Sequence, residues 1–242
     1  MSKIIDKIAL LLAKAERAAT KEEARAYNDK AEELILRHGI EEAAVQAKMR
    51  GDAKPADPMG YKIIKITGTY NRAELSIAHS VASGLGTVTA MQNISGGVSS
   101  CLLYLFGYES DREACEFLWR SLKRQAMTEV NRWAATNAEF KALRPHEKVR
   151  EKITFMESFG FEVERRLREI RNQVVKDMEK EGTVGAEVAL IDKRKQATEY
   201  AYQAFTVKNG RFSHRKSGGY GAVVAGRQAG NRADIGQSAV RR

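Results

Sequence analysis

Residues Cys101-Leu-Leu-Tyr-Leu-Phe106 form an unbroken apolar run. A strand that is apolar on both faces must be covered on both. The run therefore predicts the central strand of a sheet that has neighbours on its edges and helices on its faces. The surrounding residues supply those neighbours. Ser99–Tyr108 reads as the strand that contains the run, and Thr87–Gln92 as its hairpin partner across Asn93-Ile-Ser-Gly-Gly97, a loop rich in turn residues. Tyr61–Tyr70 reads as a further strand, with Ile64 and Ile66 alternating against Lys65. Val184–Ile191 is a candidate fourth.

Helical spacing accounts for most of the rest. Asn71 and Glu74 cap a predicted helix bearing Leu75, Ala78, Val81 and Ala82, closed by Gly84 and Gly86. Ser110 with Glu113 is a capping-box pattern. It opens a long helix to about Leu143 that carries Phe117, Leu118, Leu122, Met127, Val130 and Trp133. Pro145 interrupts it. A second long helix follows over His146–Lys180, with Gly160 as a kink or close-contact point, and Lys193–Phe205 reads as the last helix.

Residues 50–60 hold two of the three prolines and two glycines, a linker composition. Ahead of it, Ile4, Ile5, Ile8, Leu11, Leu12 and Ala15 line one helix. A second begins at the Thr20/Glu23 capping box, presents Ala24, Tyr27, Ala31, Leu34 and Ile35, and ends at His38-Gly39. The expected class is helix-rich α+β. An N-terminal α-helical hairpin (1–49) and a linker (50–60) precede a small sheet of three to four strands packed by long helices (61–206). A basic Gly/Arg-rich C-terminal arm (207–242) completes the chain.

Charge is unevenly placed. From Lys208 onward eight basic residues face one acid, Asp234, so this segment holds +7 of the chain's net +10. A concentrated positive segment attracts polyanions. Nucleic acid and acidic proteins are the expected partners. No run approaches the length of a membrane span, and the apolar stretch Ile8–Ala13 is too short and too charged at its flanks for a secretory signal. Two cysteines, Cys101 and Cys115, each beside apolar residues, read as buried thiols in a reducing compartment. A cytoplasmic protein is expected.

Lys7–Ala15, Thr20–Ala24 and Ala31-Glu-Glu-Leu34 through His38-Gly39-Ile40 together resemble the N-terminal hairpin of an uncharacterised family from bacteria, phages and prophages, known only as a domain of unknown function. The resemblance extends to Ala225–Asp234, which follows that family's Ala-Gly-Arg-x-Ala-Gly-x-Arg-Ala-Asp pattern. It implies a cytoplasmic, phage- or prophage-encoded protein and supplies no activity and no catalytic residues.

The candidate binding residues lie in two regions. In the tail, Arg211, Arg215, Lys216, Tyr220, Arg227 and Arg232 sit among small residues. Small neighbours permit close backbone approach, arginine forks match phosphate oxygens, and a tyrosine can stack on a base. The alternative is a short helix over Ala222–Ile235, packed on the domain through its alanines and glycines. The second region, Arg120–Arg150, offers Arg120, Lys123, Arg124 and Arg132, with Trp119 and Trp133 nearby. Its alternative is a solvated helix face over core tryptophans. The N-terminal hairpin is a poor DNA reader, because Glu22, Glu23, Glu32 and Glu33 repel phosphate. It reads better as a protein-docking or self-association element.

The four histidines share no ligand spacing and the cysteines lie far apart, so neither a metal nor any other cofactor is expected. No phosphate loop or nucleophile elbow occurs. A His79–Asp111 acid/base pair near Glu109 is the one enzymatic constellation to weigh. The leading expectation is a non-enzymatic accessory protein of a phage or mobile element that binds nucleic acid non-specifically. The alternatives are a structural or assembly protein with an acidic partner, and an unrecognised nucleic-acid enzyme.

Overall fold

The computed structural model describes residues 57–93, 100–181, 185–205 and 217–234, with single positions between Lys7 and Arg37. Three strands, β1 (Met59–Thr67), β2 (Thr89–Asn93) and β3 (Ser100–Tyr108), form one antiparallel sheet in the order β1-β3-β2. The helices α1 (Asn71–Leu85), α2 (Glu109–Thr136), α3 (Ala138–Ala142), α4 (Pro145–Lys180), α5 (Ala186–Ala204) and α6 (Tyr220–Arg232) pack around it. The helix-rich α+β class follows directly.

The apolar run occupies the middle strand. Cys101, Leu103 and Leu105 are buried on one face, opposite Ile66, Ile64 and Lys62 of β1. The helices α1, α2 and α4 close that face with Leu75, Ile77, Val81, Leu118, Leu122, Phe155 and Phe159. Tyr104, Phe106 and Tyr108 point to the other face. There α5 lies across the sheet, and Phe205 meets Tyr61, Tyr104 and Phe106 with ring centroids 5.1–5.7 Å apart. Tyr108 Oη donates to Gln196 Oε1 at 2.7 Å, and the Thr89 and Thr198 hydroxyls share a hydrogen bond at 2.8 Å.

Several local expectations change. Among the described residues no fourth strand forms: Ala186–Ile191 is the start of α5, preceded by Gly185 at φ 85°. Ala189, Leu190, Lys193, Ala197 and Ala201 are buried at helical spacing, and that longer stripe overrides the short apolar alternation. Ser110 does not cap α2, whose N-cap is Tyr108 with no side-chain bond. Instead Asp57, distant in sequence, accepts from Ser110 N at 2.9 Å and Ser110 Oγ at 2.6 Å, satisfying one orphan donor of the first turn. Because Asp57 is engaged and β1 begins at Met59, the end of the expected linker belongs to the fold.

Asn71 is the first residue of α1, not its cap, and its Nδ2 donates to Gly68 O at 2.7 Å. Gly86 does close this helix in the left-handed region at φ 76°. The helix expected to reach Leu143 stops at Thr136. Asn137 Oδ1 accepts from Phe140 N at 2.7 Å and starts α3. Pro145 is the first residue of α4, where its missing N–H costs nothing. Gly160 is a close-contact point, since an added Cβ would lie 3.4 Å from the Ile77 backbone.

The described positions between Lys7 and Arg17, and between Glu23 and Arg37, are helical, and Thr20 Oγ1 accepts from Glu23 N at 3.1 Å as a cap should. Ala31 and Ile35 join the main core. The His38-Gly39 stop and the 94–99 loop lie outside the described residues.

Candidate nucleic-acid interface

The C-terminal segment supplies a helix packed on the domain. Gly226 and Gly230 of α6 meet α4 so closely that a Cβ on Gly226 would stand 2.3 Å from Phe155 O, and one on Gly230 2.6 Å from Phe159 O. Small residues at i and i+4 let two backbones touch. Ala222, Ala229 and Ala233 complete the buried stripe.

Both ends of α6 are fixed. At the start, Gly218 N donates to Thr154 Oγ1 at 2.7 Å and Gly219 N to Glu151 Oε1 at 2.6 Å. At the end, Arg166, 7% exposed, donates from Nη1 to Gly230 O at 2.8 Å and Ala233 O at 2.6 Å. A guanidinium at a helix C-terminus satisfies orphan carbonyls and complements the dipole. Beyond it, Asp234 N donates to Gln125 Oε1 at 2.8 Å on α2.

This docking leaves one face of α6 in solvent. Tyr220 is 82% exposed, and Arg227, Gln228, Asn231 and Arg232 are exposed as well. Neither Arg227 nor Arg232 forms an ion pair among the described residues. α6 holds no acid. Arg211, Arg215 and Lys216 lie outside the described residues.

The second basic region differs. Arg120 Nη2 pairs with Glu116 at 2.7 Å, Lys123 Nζ with Glu74 at 2.7 Å, and Arg132 with Glu129. Arg124 is exposed on the same helix. Burial alone would raise the Glu116 pKa, but hydrogen bonds and charge from Lys62 and Arg120 outweigh it, and the carboxyl is held below its ordinary range. Trp119 is no stacking platform: it is 3% exposed, and its Nε1 donates to Glu74 O at 3.0 Å. Trp133 packs against Phe140 and Phe155 at 5.2 and 5.4 Å. A solvated helix face over core tryptophans thus accounts for three of the four candidate cations and for both tryptophans.

The enzymatic constellation does not assemble. The Asp111 carboxylate meets Lys193 Nζ at 2.7 Å in a buried ion pair under the Tyr108 ring. Burial lowers the His79 pKa, and its buried Nε2 has no hydrogen-bond partner among the described residues. Glu109 is exposed. Cys101 and Cys115 are both buried, and burial raises both thiol pKa values. Among the described residues no group of three or more His, Cys, Asp and Glu side chains is placed to hold a metal ion, and no helix is long and apolar enough to cross a membrane.

Sequence reasoning missed Gln228, Asn231 and Arg166. The two amides stand beside the expected arginines in Arg227-Gln-Ala-Gly-Asn-Arg232, and their place on the outer face shows only once the buried stripe is known. Nothing in the sequence marks Arg166 among the many arginines of α4.

Residues 3–42 match a family model described as a protein of unknown function (DUF2786). No curated protein and no solved structure matches the chain.

Proposed function

We propose that this is a cytoplasmic, phage- or mobile-element-encoded accessory protein that binds nucleic acid through phosphate contacts. The observation that carries the reading is the contrast between two basic surfaces. Arg120, Lys123 and Arg132 of α2 are each ion-paired with a neighbouring acid, Arg120 sharing Glu116 with Lys62. Arg227 and Arg232 stand on the outer face of α6 with no ion pair among the described residues, in the segment that holds most of the excess positive charge. Unpaired guanidinium groups release condensed counterions when they meet phosphates, at no cost of broken ion pairs. The hairpin at the N-terminus is the expected protein-docking element.

The test is equilibrium binding of the full chain to single- and double-stranded DNA and RNA at rising salt. The expected result is an affinity that falls steeply with salt. No binding at low salt to any of these would end the reading.

A second reading is favoured by the sheet. On its α5 face, Tyr61 and Ile63 are 44% and 48% exposed, beside half-buried Tyr104, Leu102 and Met91. An exposed apolar patch of this kind suits a structural or assembly protein, with the basic segment holding an acidic partner. Recovery of one stoichiometric protein free of nucleic acid, on purification from the native host, would favour it.

A further inference from the structure

We infer that α6 is a sequence-reading helix for duplex DNA, its outer face entering the major groove. The inference rests on the nucleic-acid reading above and goes beyond it, because phosphate contacts carry no sequence information.

The solvent face of α6 has the chemistry of base-edge recognition. Side chains on this face are Tyr220, Val224, Arg227, Gln228, Asn231 and Arg232, opposite the stripe of Ala222, Gly226, Ala229, Gly230 and Ala233. Arginine is the commonest bidentate partner of guanine O6 and N7. Glutamine and asparagine are the bidentate partners of adenine N6 and N7, and an aliphatic side chain suits the thymine methyl. Arg227/Asn231 and Gln228/Arg232 are each spaced i and i+4, so they form two adjacent rows along the helix. A merely solvated helix face would mix acids with bases; this one has none.

The mounting is equally specific. Readout demands a helix held in one place, and α6 is held along its length by glycine contacts to Phe155 and Phe159 and at its end by Arg166. Of the acids that flank it, Glu162 is paired with Arg165, and Glu151 accepts from Gly219 N at the first turn. α6 spans 13 residues, about 20 Å at 1.5 Å per residue, enough to cross several base pairs in a groove about 12 Å wide. The N-terminal end of α6 is blocked for phosphate by Glu151, so the approach is to the flank of the helix.

The test is selection of duplexes from a random-sequence pool by the full chain. Fluorescence anisotropy then compares the selected duplex with a scrambled one at fixed salt. The pool is expected to converge on a short site containing guanine and adenine. Arg227→Ala, Gln228→Ala and Asn231→Ala should each lose about 5- to 150-fold of the preference, with unchanged melting temperature because all three residues are exposed. Gln228→Lys should bind the scrambled duplex more tightly while losing preference for the selected one. A pool that does not converge, or amide variants that keep the full preference, would overturn the inference and leave phosphate binding standing. Binding to single-stranded RNA but not to duplex DNA would do the same. Absence of binding to any nucleic acid would overturn both.

Discussion

Arg166 of α4 donates to the carbonyl oxygen of Gly230 at 2.8 Å, and so joins two helices through a buried cation and a backbone end. The same nitrogen reaches Ala233 O at 2.6 Å. The contact makes the C-terminal segment part of the fold. Removing that segment would strip Arg166 of these acceptors and uncover the stripe of α4 that holds Phe155 and Phe159.

Arg166→Ala should therefore destabilise the protein by about 2–4 kcal/mol, the range for losing charge-assisted hydrogen bonds and leaving buried carbonyls unpaired. Gly226→Val should cost at least as much, since even a Cβ would lie 2.3 Å from Phe155 O. Urea unfolding monitored by circular dichroism measures both. A midpoint unchanged from wild type in either variant would show that α6 is not docked as described.

Lys193 and Asp111 form an ion pair with side chains 1% and 6% exposed. A buried pair adds little net stability, yet removing one partner strands the other. Lys193→Met alone and Asp111→Asn alone should each cost about 3–5 kcal/mol. The double variant should cost clearly less than the two together. Chemical denaturation of all four proteins completes the double-mutant cycle, and strict additivity would contradict the pairing.

Burial lowers the His79 pKa below its ordinary 6.5, and this outweighs the raising influence of the neighbouring Gln92. The unfolded chain then binds a proton before the folded one does. The stability that this contributes is complete above about pH 6.5 and is lost as pH falls from there through the folded value. Melting temperature should decline between pH 7 and pH 5, and His79→Gln should flatten that decline. The depressed Glu116 acts lower, below its ordinary 4.5, so the two windows separate. Parallel curves for wild type and His79→Gln would refute the assignment.

The two basic surfaces should separate in binding. On a scrambled duplex, where both arginines meet phosphates and neither reads a base, Arg227→Ala with Arg232→Ala should reduce the slope of log affinity against log salt by about 2, one for each phosphate that is no longer neutralised. Arg120→Ala and Lys123→Ala should change that slope less, because phosphate must compete with Glu116 and Glu74 for them. Titrations of one labelled duplex at four salt concentrations decide it. Equal effects from both pairs would place the binding surface across α2 as well.

Local periodicity alone determined much of this protein. The apolar run Cys101–Phe106 required a middle strand, glycine at position 86 closed α1, and the 3.6-residue spacing of large apolar side chains marked α2 and α4. Those signals are legible because each is a property of neighbours in the chain. Tertiary structure decided the rest. A segment as glycine-rich as Tyr220–Arg232 has weak helical propensity; it is helical here because its small residues close on Phe155 and Phe159 and Arg166 caps it. Val184–Ile191 carries strand-like alternation, but the sheet needs a helix across Phe106 and Tyr108, and Lys193 must reach Asp111. Which arginines stay unpaired was likewise invisible: Arg120, Lys123 and Arg227 are similar cations in sequence, and only the packing of α2 and α6 brings acids to the first two and leaves the third facing water.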